Sequence, residues 1–105
     1  MKEAVIVSTA RTPIGKAYRG AFNNTESPTM GGHAIREAVK RAAIEPEEVD
    51  DVIMGCAVQQ GTSGLNIGRT AGIVAGLPMV RTKSIGWWWP GSNCSSIKIN
   101  KQEKK

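Results

Sequence analysis

Short apolar runs alternate with polar, glycine-containing stretches along the chain. Residues 4–8 form a continuous, largely β-branched run, which predicts a strand covered on both faces in a parallel sheet. A long surface loop is expected over residues 9–24. Behind it, Ser27 is predicted to cap a helix whose first residue is Pro28. The apolar residues of this helix recur at helical spacing, as in a helix laid on a sheet, and they are Ala34, Ile35, Ala38, Val39 and Ala42.

A second strand and a second helix follow in the same order. Residues 46–49 predict a short acidic helical turn, and residues 52–58 predict a second buried strand. Strand, helix and strand in succession imply a right-handed crossover and a parallel pair. After a glycine-rich loop at residues 59–65, Asn66 is predicted to cap a helix over residues 67–75, which the next glycine and proline terminate.

The pattern weakens where a third strand is due. Residues 80–85 predict at best a poor strand, which the three tryptophans of residues 87–89 interrupt, and residues 98–105 have the composition of a solvated, disordered end. The predicted fold class is therefore α/β, a β-loop-α-β-loop-α unit with a parallel sheet and an irregular C-terminal tail.

Charge divides the chain at the same place. Residues 1–80 balance eight Lys and Arg against eight Asp and Glu, whereas residues 81–105 hold six against one and all three Trp. The formal net charge of +5 thus belongs to the tail. We interpret residues 1–80 as a domain segment and residues 81–105 as a divergent, basic, Trp-rich tail.

Composition narrows the class of protein. Two cysteines are too few for a disulfide framework, and no C-x-x-C motif or His-rich cluster offers a metal site, so no metal and a reduced, cytoplasmic setting are expected. The short apolar run near the N-terminus is too brief for the apolar region of a secretory signal, and no such signal is expected. No stretch approaches the roughly 20 apolar residues of a spanning helix, and a soluble protein is expected.

Several residues are candidates for binding or catalysis. The Gly-Thr-Ser-Gly loop at residues 61–64 has amides that could cradle a phosphate, but it lacks a P-loop lysine, and a simple turn is favoured. A solvated or packing role is favoured for His33. Arg11 and Arg69 could each bind an anion, although a surface or subunit-contact role is preferred.

The two cysteines differ in their surroundings. Cys56 lies in an apolar strand, where desolvation suppresses the reactive thiolate, so it is interpreted as inert. Cys94 lies among small polar residues that could lead into a helix N-terminus, whose dipole lowers the pKa of a thiol. Spacing alone leaves Cys94 open as either a catalytic nucleophile or an incidental, exposed cysteine of the tail.

Three stretches resemble the N-terminal part of a thiolase of the acetyl-CoA acetyltransferase type. Residues 4–16, with Ala-Arg-Thr-Pro-Ile-Gly at 10–15, are similar to the opening strand and loop of that family. Residues 47–55 resemble its second strand with the acidic lead-in. Residues 66–71 and the Ala-Gly-Leu-Pro at 75–78 resemble the following helix and its exit.

The resemblance implies a nucleophilic cysteine, and Cys94-Ser95-Ser96 matches three positions of the family motif, with Ile97 where the family has Gly. It also implies Claisen condensation of acyl-CoA and the thiolytic reverse through a cysteine thioester. No metal or redox cofactor is implied; a coenzyme A thioester is the substrate, and no coenzyme-binding residue is assigned. The Gly-His-Pro and Cys-x-Gly motifs that complete the family's machinery are not among the 105 residues.

These observations favour a thiolase segment that is truncated or frame-disrupted after about residue 80 and inactive as this short chain. Acyl-CoA is its expected partner in the full-length family, with neither nucleic acid nor membrane, and a homo-oligomer is left open. The alternative is a non-catalytic interaction module whose basic, Trp-rich tail binds an anionic surface. A third hypothesis is a small stand-alone protein that dimerises through its incomplete sheet.

Overall fold

A computed structural model describes residues 3–78 together with two strands at residues 81–86 and 98–101. Two helices and three strands follow one another along the chain. They are α1 (Ser27–Ala42), β1 (Val49–Cys56), α2 (Ile67–Val74), β2 (Arg81–Gly86) and β3 (Lys98–Lys101), with single 3-10 turns at Pro46–Glu48 and Gly61–Ser63.

β1 is the central strand of a sheet whose order is β2-β1-β3. It pairs in parallel with β2, from Asp51 opposite Arg81 to Cys56 opposite Gly86. It pairs antiparallel with β3, and there Val52 lies opposite Ile99, with a register irregularity between Val49 and Asp51. Both edges of β1 are therefore occupied.

The prediction of a first strand at residues 4–8 is wrong. These residues lie outside the sheet, and Val5, Ile6 and Val7 are 73%, 87% and 73% exposed. A parallel pair of residues 4–8 with residues 52–58 is accordingly absent from the described residues. β-branched composition favours a strand, but a strand forms only when its backbone pairs with the edge of another strand. In this structure β2 and β3 already pair with the two edges of β1.

The prediction of an irregular tail is also wrong in part, because β2 and β3 both lie beyond residue 80. A sequence of low β propensity can be drawn into a sheet when a central strand offers unpaired backbone N–H and C=O groups, since tertiary context overrides local propensity. The predicted break at residues 87–89 lies outside the described residues.

The two helices pack closely at a pair of glycines in α1. A Cβ placed on Gly32 would lie 2.7 Å from Val74 Cγ1 and 2.9 Å from Val74 Cβ, both closer than atoms approach. A Cβ on Gly31 would lie 3.1 Å from Ala71 Cβ and 3.2 Å from Met54 Cε. Glycine at 32 is therefore a condition of the approach of α2 to α1.

The core lies between the helices and β1. The apolar stripe predicted for α1 is confirmed where it matters most, because Ile35 is fully buried and Val39 nearly so. The other members of the core come from β1, α2 and the turn after α2, and they are Val49, Val52, Met54, Ile67, Ala71 and Leu77. Alanines and β-branched residues suit this short distance between the layers.

The two ends of α1 differ from the sequence prediction. Glu26, not Ser27, is the N-cap of α1, and Pro28 lies one position further into the helix than predicted. The Ser27 hydroxyl instead accepts a hydrogen bond from Ser63 Oγ at 2.7 Å. At its other end, α1 stops at Ala43, a left-handed residue with φ of 53° that the sequence does not signal.

The end of α2 forms as predicted around Gly76. This residue has φ of +83°, and the amides of Gly76 and Leu77 donate to the carbonyls of Ile73 and Gly72 at 3.0 and 3.1 Å. This pair of bonds is the Schellman arrangement that satisfies the last carbonyls of a helix. Leu77 is consequently turned into the core, where it is 8% exposed.

Substitution of Gly32 by alanine should lower the free energy of unfolding. Alanine favours the helix by about 1 kcal/mol, but overpacking against Val74 costs about 1–3 kcal/mol, so a net loss is expected. Gly31→Ala is the matched control, because a Cβ there would lie 3.1 Å from Ala71 Cβ and 3.2 Å from the flexible end of Met54, and it should cost less stability than Gly32→Ala. Urea denaturation of the two variants measures the difference; equal effects would contradict the close approach at residue 32.

Candidate functional site

The loop before α2 and the start of α1 form the best-defined polar region of the described residues. Gly61–Ser63 makes a 3-10 turn, and Ser63 Oγ donates to Ser27 Oγ at the first turn of α1. This contact joins two segments that are far apart in sequence. It places the amino ends of both helices on one side of the molecule.

Two amides of this loop are paired within it. Ser63 N–H donates to the Gln60 carbonyl at 3.2 Å, and Gly64 N–H donates to the Gly61 carbonyl at 3.0 Å. Amides already paired with carbonyls are not free to cradle a phosphate. Gly61–Ser63 thus forms a 3-10 turn, as the favoured interpretation expects.

Asn66 caps α2, as predicted. Its Oδ1 accepts from Arg69 N–H at 3.1 Å, and its carbonyl accepts from Thr70 N–H at 3.2 Å. Leu65, directly before it, has φ of 57° and is 94% exposed. The side chain of Arg69 is exposed beyond the cap, in keeping with the preferred surface role.

The other basic candidates lie on the surface, and two arginines that the sequence did not single out make specific contacts. His33 and Arg11 are exposed. Arg36 Nη2 donates to the Val74 carbonyl at 2.7 Å, and Arg41 Nη1 donates to the Thr9 carbonyl at 2.9 Å. Both arginines lie on the polar face of α1, which periodicity identifies without showing what each side chain will reach.

Of the two cysteines, only Cys56 lies within the described residues. It is half-buried rather than enclosed, and its Sγ donates to the Val58 carbonyl at 3.2 Å. Ala57 is exposed, which corrects the expectation of a buried strand through residue 58: β1 ends at Cys56. Cys94, the predicted nucleophile, lies outside the described residues.

Two carboxylates at the start of β1 were missed by sequence reasoning. Asp50 Oδ2 and Asp51 Oδ1 are buried and accept no hydrogen bond from the part of the chain that the structure describes. In the register of the sheet, Asp51 lies opposite Arg81 of β2 and Asn100 of β3. The two acidic residues at the entry to an apolar strand were the available signal. Within the described part of the chain, no three His, Cys, Asp or Glu residues are grouped so as to hold a metal ion.

Comparison with known protein families identifies the class. The thiolase N-terminal domain matches residues 4–86, which include both helices, β1 and β2. The chain therefore belongs to the thiolase family, and the resemblance seen in its sequence is confirmed.

Bacterial relatives agree with this assignment. The chain is 46% identical over 78 residues to a 3-ketoacyl-CoA thiolase of Bacillus subtilis (strain 168), covering 74% of the chain and 20% of that protein. It is 41% identical over 87 residues to the 3-ketoacyl-CoA thiolase of Colwellia psychrerythraea, covering 82% and 22%. The chain spans about a fifth of the length of these relatives. None of the helices in the described residues has the length and apolarity needed to cross a membrane.

Removing the Asn66 cap should destabilise the protein. Loss of the bond from Arg69 N–H in Asn66→Ala is expected to lower the free energy of unfolding by about 1 kcal/mol. Asn66→Asp keeps an acceptor at the same position and should retain most of the stability. Denaturant melts of both variants provide the measurement, and an Asp variant as unstable as the Ala variant would show that the cap bond is not the cause.

Cys56 should be alkylated more slowly in the native chain than in the unfolded chain. Its half-buried thiol donates to a carbonyl, and both features limit attack by the thiolate. The measurement is the iodoacetamide rate in Cys94→Ala, which leaves Cys56 as the one thiol, with and without urea. Equal rates under the two conditions would contradict the position described for Cys56.

Proposed function

We propose that this chain provides the N-terminal segment of an acyl-CoA C-acyltransferase that carries out Claisen condensation and thiolysis through a cysteine thioester. The family match over residues 4–86 carries the proposal. The names of the relatives, 3-ketoacyl-CoA thiolases, indicate the class of substrate, a 3-ketoacyl thioester of coenzyme A.

In this proposal Cys94 is the nucleophile. In the condensation direction its thiolate attacks the carbonyl of an acyl-CoA, the carbon–sulfur bond to coenzyme A breaks, and the leaving thiolate takes a proton to become the free thiol. In thiolysis it attacks the 3-keto carbon of a 3-ketoacyl-CoA, the bond between C2 and C3 breaks, and C2 takes a proton, which releases acetyl-CoA. The acyl group is left as a thioester on Cys94. Support comes from the Cys94-Ser95-Ser96 sequence alone, which matches three positions of the family's nucleophile motif.

The reaction requires no metal or redox cofactor in this proposal. One half-reaction transfers an acyl group from one sulfur atom to another, and the other transfers it between sulfur and carbon. Neither involves a net oxidation. What they require is an acid and base to move protons and hydrogen-bond donors to stabilise the oxyanions. Coenzyme A takes part as the thiol of the substrate. A cytoplasmic location is part of this proposal, and the support for it is that two cysteines are too few for a disulfide framework.

We further propose that the 105 residues by themselves do not turn over. The Gly-His-Pro and Cys-x-Gly motifs that supply the family's acid and base are not among them. A nucleophile separated from its base keeps little of the rate of the complete set, because catalytic groups that act together are strongly non-additive.

A chimera tests the family function. Residues 4–86 would replace the matching segment of the Bacillus subtilis 3-ketoacyl-CoA thiolase, which leaves that enzyme's own later residues in place. Retained thiolysis of a 3-ketoacyl-CoA is expected because the segment supplies the same elements of the fold. The control is the same chimera with Gly32→Ala, which should be less stable than the chimera without it. A stably folded chimera that does not carry out thiolysis would count against the proposal.

A second experiment tests Cys94 in the 105-residue chain. After incubation with acetyl-CoA, mass spectrometry is expected to find no stable acetyl group on Cys94, because its partner groups are absent. Cys94→Ala is the control for acetylation elsewhere. An acetyl adduct present in the native chain and lost in Cys94→Ala would show that the chain alone performs the first half-reaction.

A further inference from the structure

The carboxyl ends of β1 and β2 lie side by side at one end of the sheet. Their parallel pairing finishes with Cys56 opposite Gly86. After Cys56 the chain enters the loop of residues 57–65, and after Gly86 it continues toward Cys94. In open α/β sheets, ligands bind outside the carboxyl ends of parallel strands. The loop of residues 57–65 therefore begins at the end of the sheet where a ligand is expected.

The backbone of this loop is held in one conformation by several contacts. Gly61 has φ of +60°, and its carbonyl accepts from Gly64 N–H at 3.0 Å. A Cβ at Gly64 would lie 2.9 Å from the same carbonyl oxygen, so the turn leaves no room for a side chain there. Ser63 Oγ donates to Ser27 Oγ at 2.7 Å, which ties the loop to the first turn of α1.

The polar side chains of the loop are left without protein partners. Gln59, Gln60 and Thr62 are exposed, and their side chains form no hydrogen bond with the part of the chain that the structure describes. Val58 and Leu65, near the two ends of the loop, are 64% and 94% exposed. Binding residues are concentrated on loops that a rigid scaffold positions, and this loop has that character.

The chemistry of these side chains selects one part of the proposed substrate. The pantetheine arm of coenzyme A contains amide groups separated by short apolar segments. A glutamine side chain carries both donors and an acceptor, so it can pair with the N–H and the C=O of such an amide. An acyl chain offers no comparable groups, and residues 57–65 contain no Lys or Arg to pair with the phosphates. The loop therefore matches the pantetheine arm.

We propose that Gln59, Gln60 and Thr62 bind the pantetheine arm of an acyl-CoA through hydrogen bonds to its amide groups. Ser63 is a positioning residue, because its bond to Ser27 holds the loop against α1. This inference rests on the proposed function, which supplies acyl-CoA as the substrate. It adds a site for the coenzyme within the N-terminal segment.

Titration of the 105-residue chain with pantetheine under reducing conditions, followed by NMR, tests the proposal. Pantetheine carries no phosphate, so the net charge of the chain does not attract it. The side-chain amide signals of Gln59 and Gln60 are expected to shift, with a dissociation constant in the millimolar range. Gln60→Ala removes one set of hydrogen bonds and should raise that dissociation constant about fivefold.

Glu47→Ala is the matched control. The glutamate side chain has the same length as glutamine, is exposed, and lies in the turn that precedes β1, at the other end of that strand. Its removal should leave the dissociation constant for pantetheine unchanged.

Two serine variants test the positioning role. Ser63→Ala removes the hydroxyl that donates to Ser27 and should raise the dissociation constant for pantetheine about threefold. Ser63→Thr keeps a hydroxyl and should bind pantetheine as the native chain does. Equal weakening in the two variants would contradict the positioning role.

Three results would overturn the proposal. One is a titration in which pantetheine shifts no signal of Gln59, Gln60 or Thr62. Another is Glu47→Ala weakening the binding as much as Gln60→Ala. The third is a shift of the loop signals with adenosine bisphosphate, or with the concentration of the chain alone, because the loop would then bind phosphate or a second copy. Each can occur while the chimera retains thiolysis, so failure of this inference is distinguishable from failure of the proposed function.

Discussion

The close approach of α2 to α1 at Gly32 is the contact on which the described fold depends. Val74 Cγ1 lies 2.7 Å from the position of a Cβ at residue 32, and Ile35 and Val39, one and two turns further along α1, are buried in the core. The same approach brings the Val74 carbonyl within 2.7 Å of Arg36 Nη2. α2 can then end in a Schellman turn that directs Leu77 inward and the chain toward β2, parallel to β1.

Features that depend on neighbours in sequence could be predicted from the sequence. Asn66 caps α2 because an amide oxygen placed before a helix reaches the N–H three residues on, and Gly76 ends the helix because it adopts a positive φ without strain. The stripe of Ile35 and Val39 follows from helical periodicity. The glycine pair at 31 and 32 was not predicted, since its role exists only once α2 is in contact.

Features that depend on distant partners could not be predicted in this way. Residues 4–8 have the sequence pattern of a strand and yet lie outside the sheet. The pattern shows a preference for extended backbone, but it does not show which strand the segment would pair with. For the candidate site, the turn at residues 61–64 and the cap at Asn66 were predictable as local structures. The hydrogen bonds of Arg36 and Arg41 and the burial of the Asp50 and Asp51 oxygens could not be predicted, because they depend on tertiary positions. The assignment of Cys94 stays a prediction that rests on motif resemblance.

The topology of the sheet also fixes the order in which its edges are filled during synthesis. β1 is complete at Cys56, whereas β3 begins about 40 residues later, at Lys98. At about 5–20 residues per second, the ribosome takes about 2–8 s to add that length of chain. During this interval the edge of β1 that β3 will cover is open, and an open edge is a template for a strand of another chain. Neighbouring nascent chains on one messenger RNA therefore present this open edge to one another until Lys98 has been added.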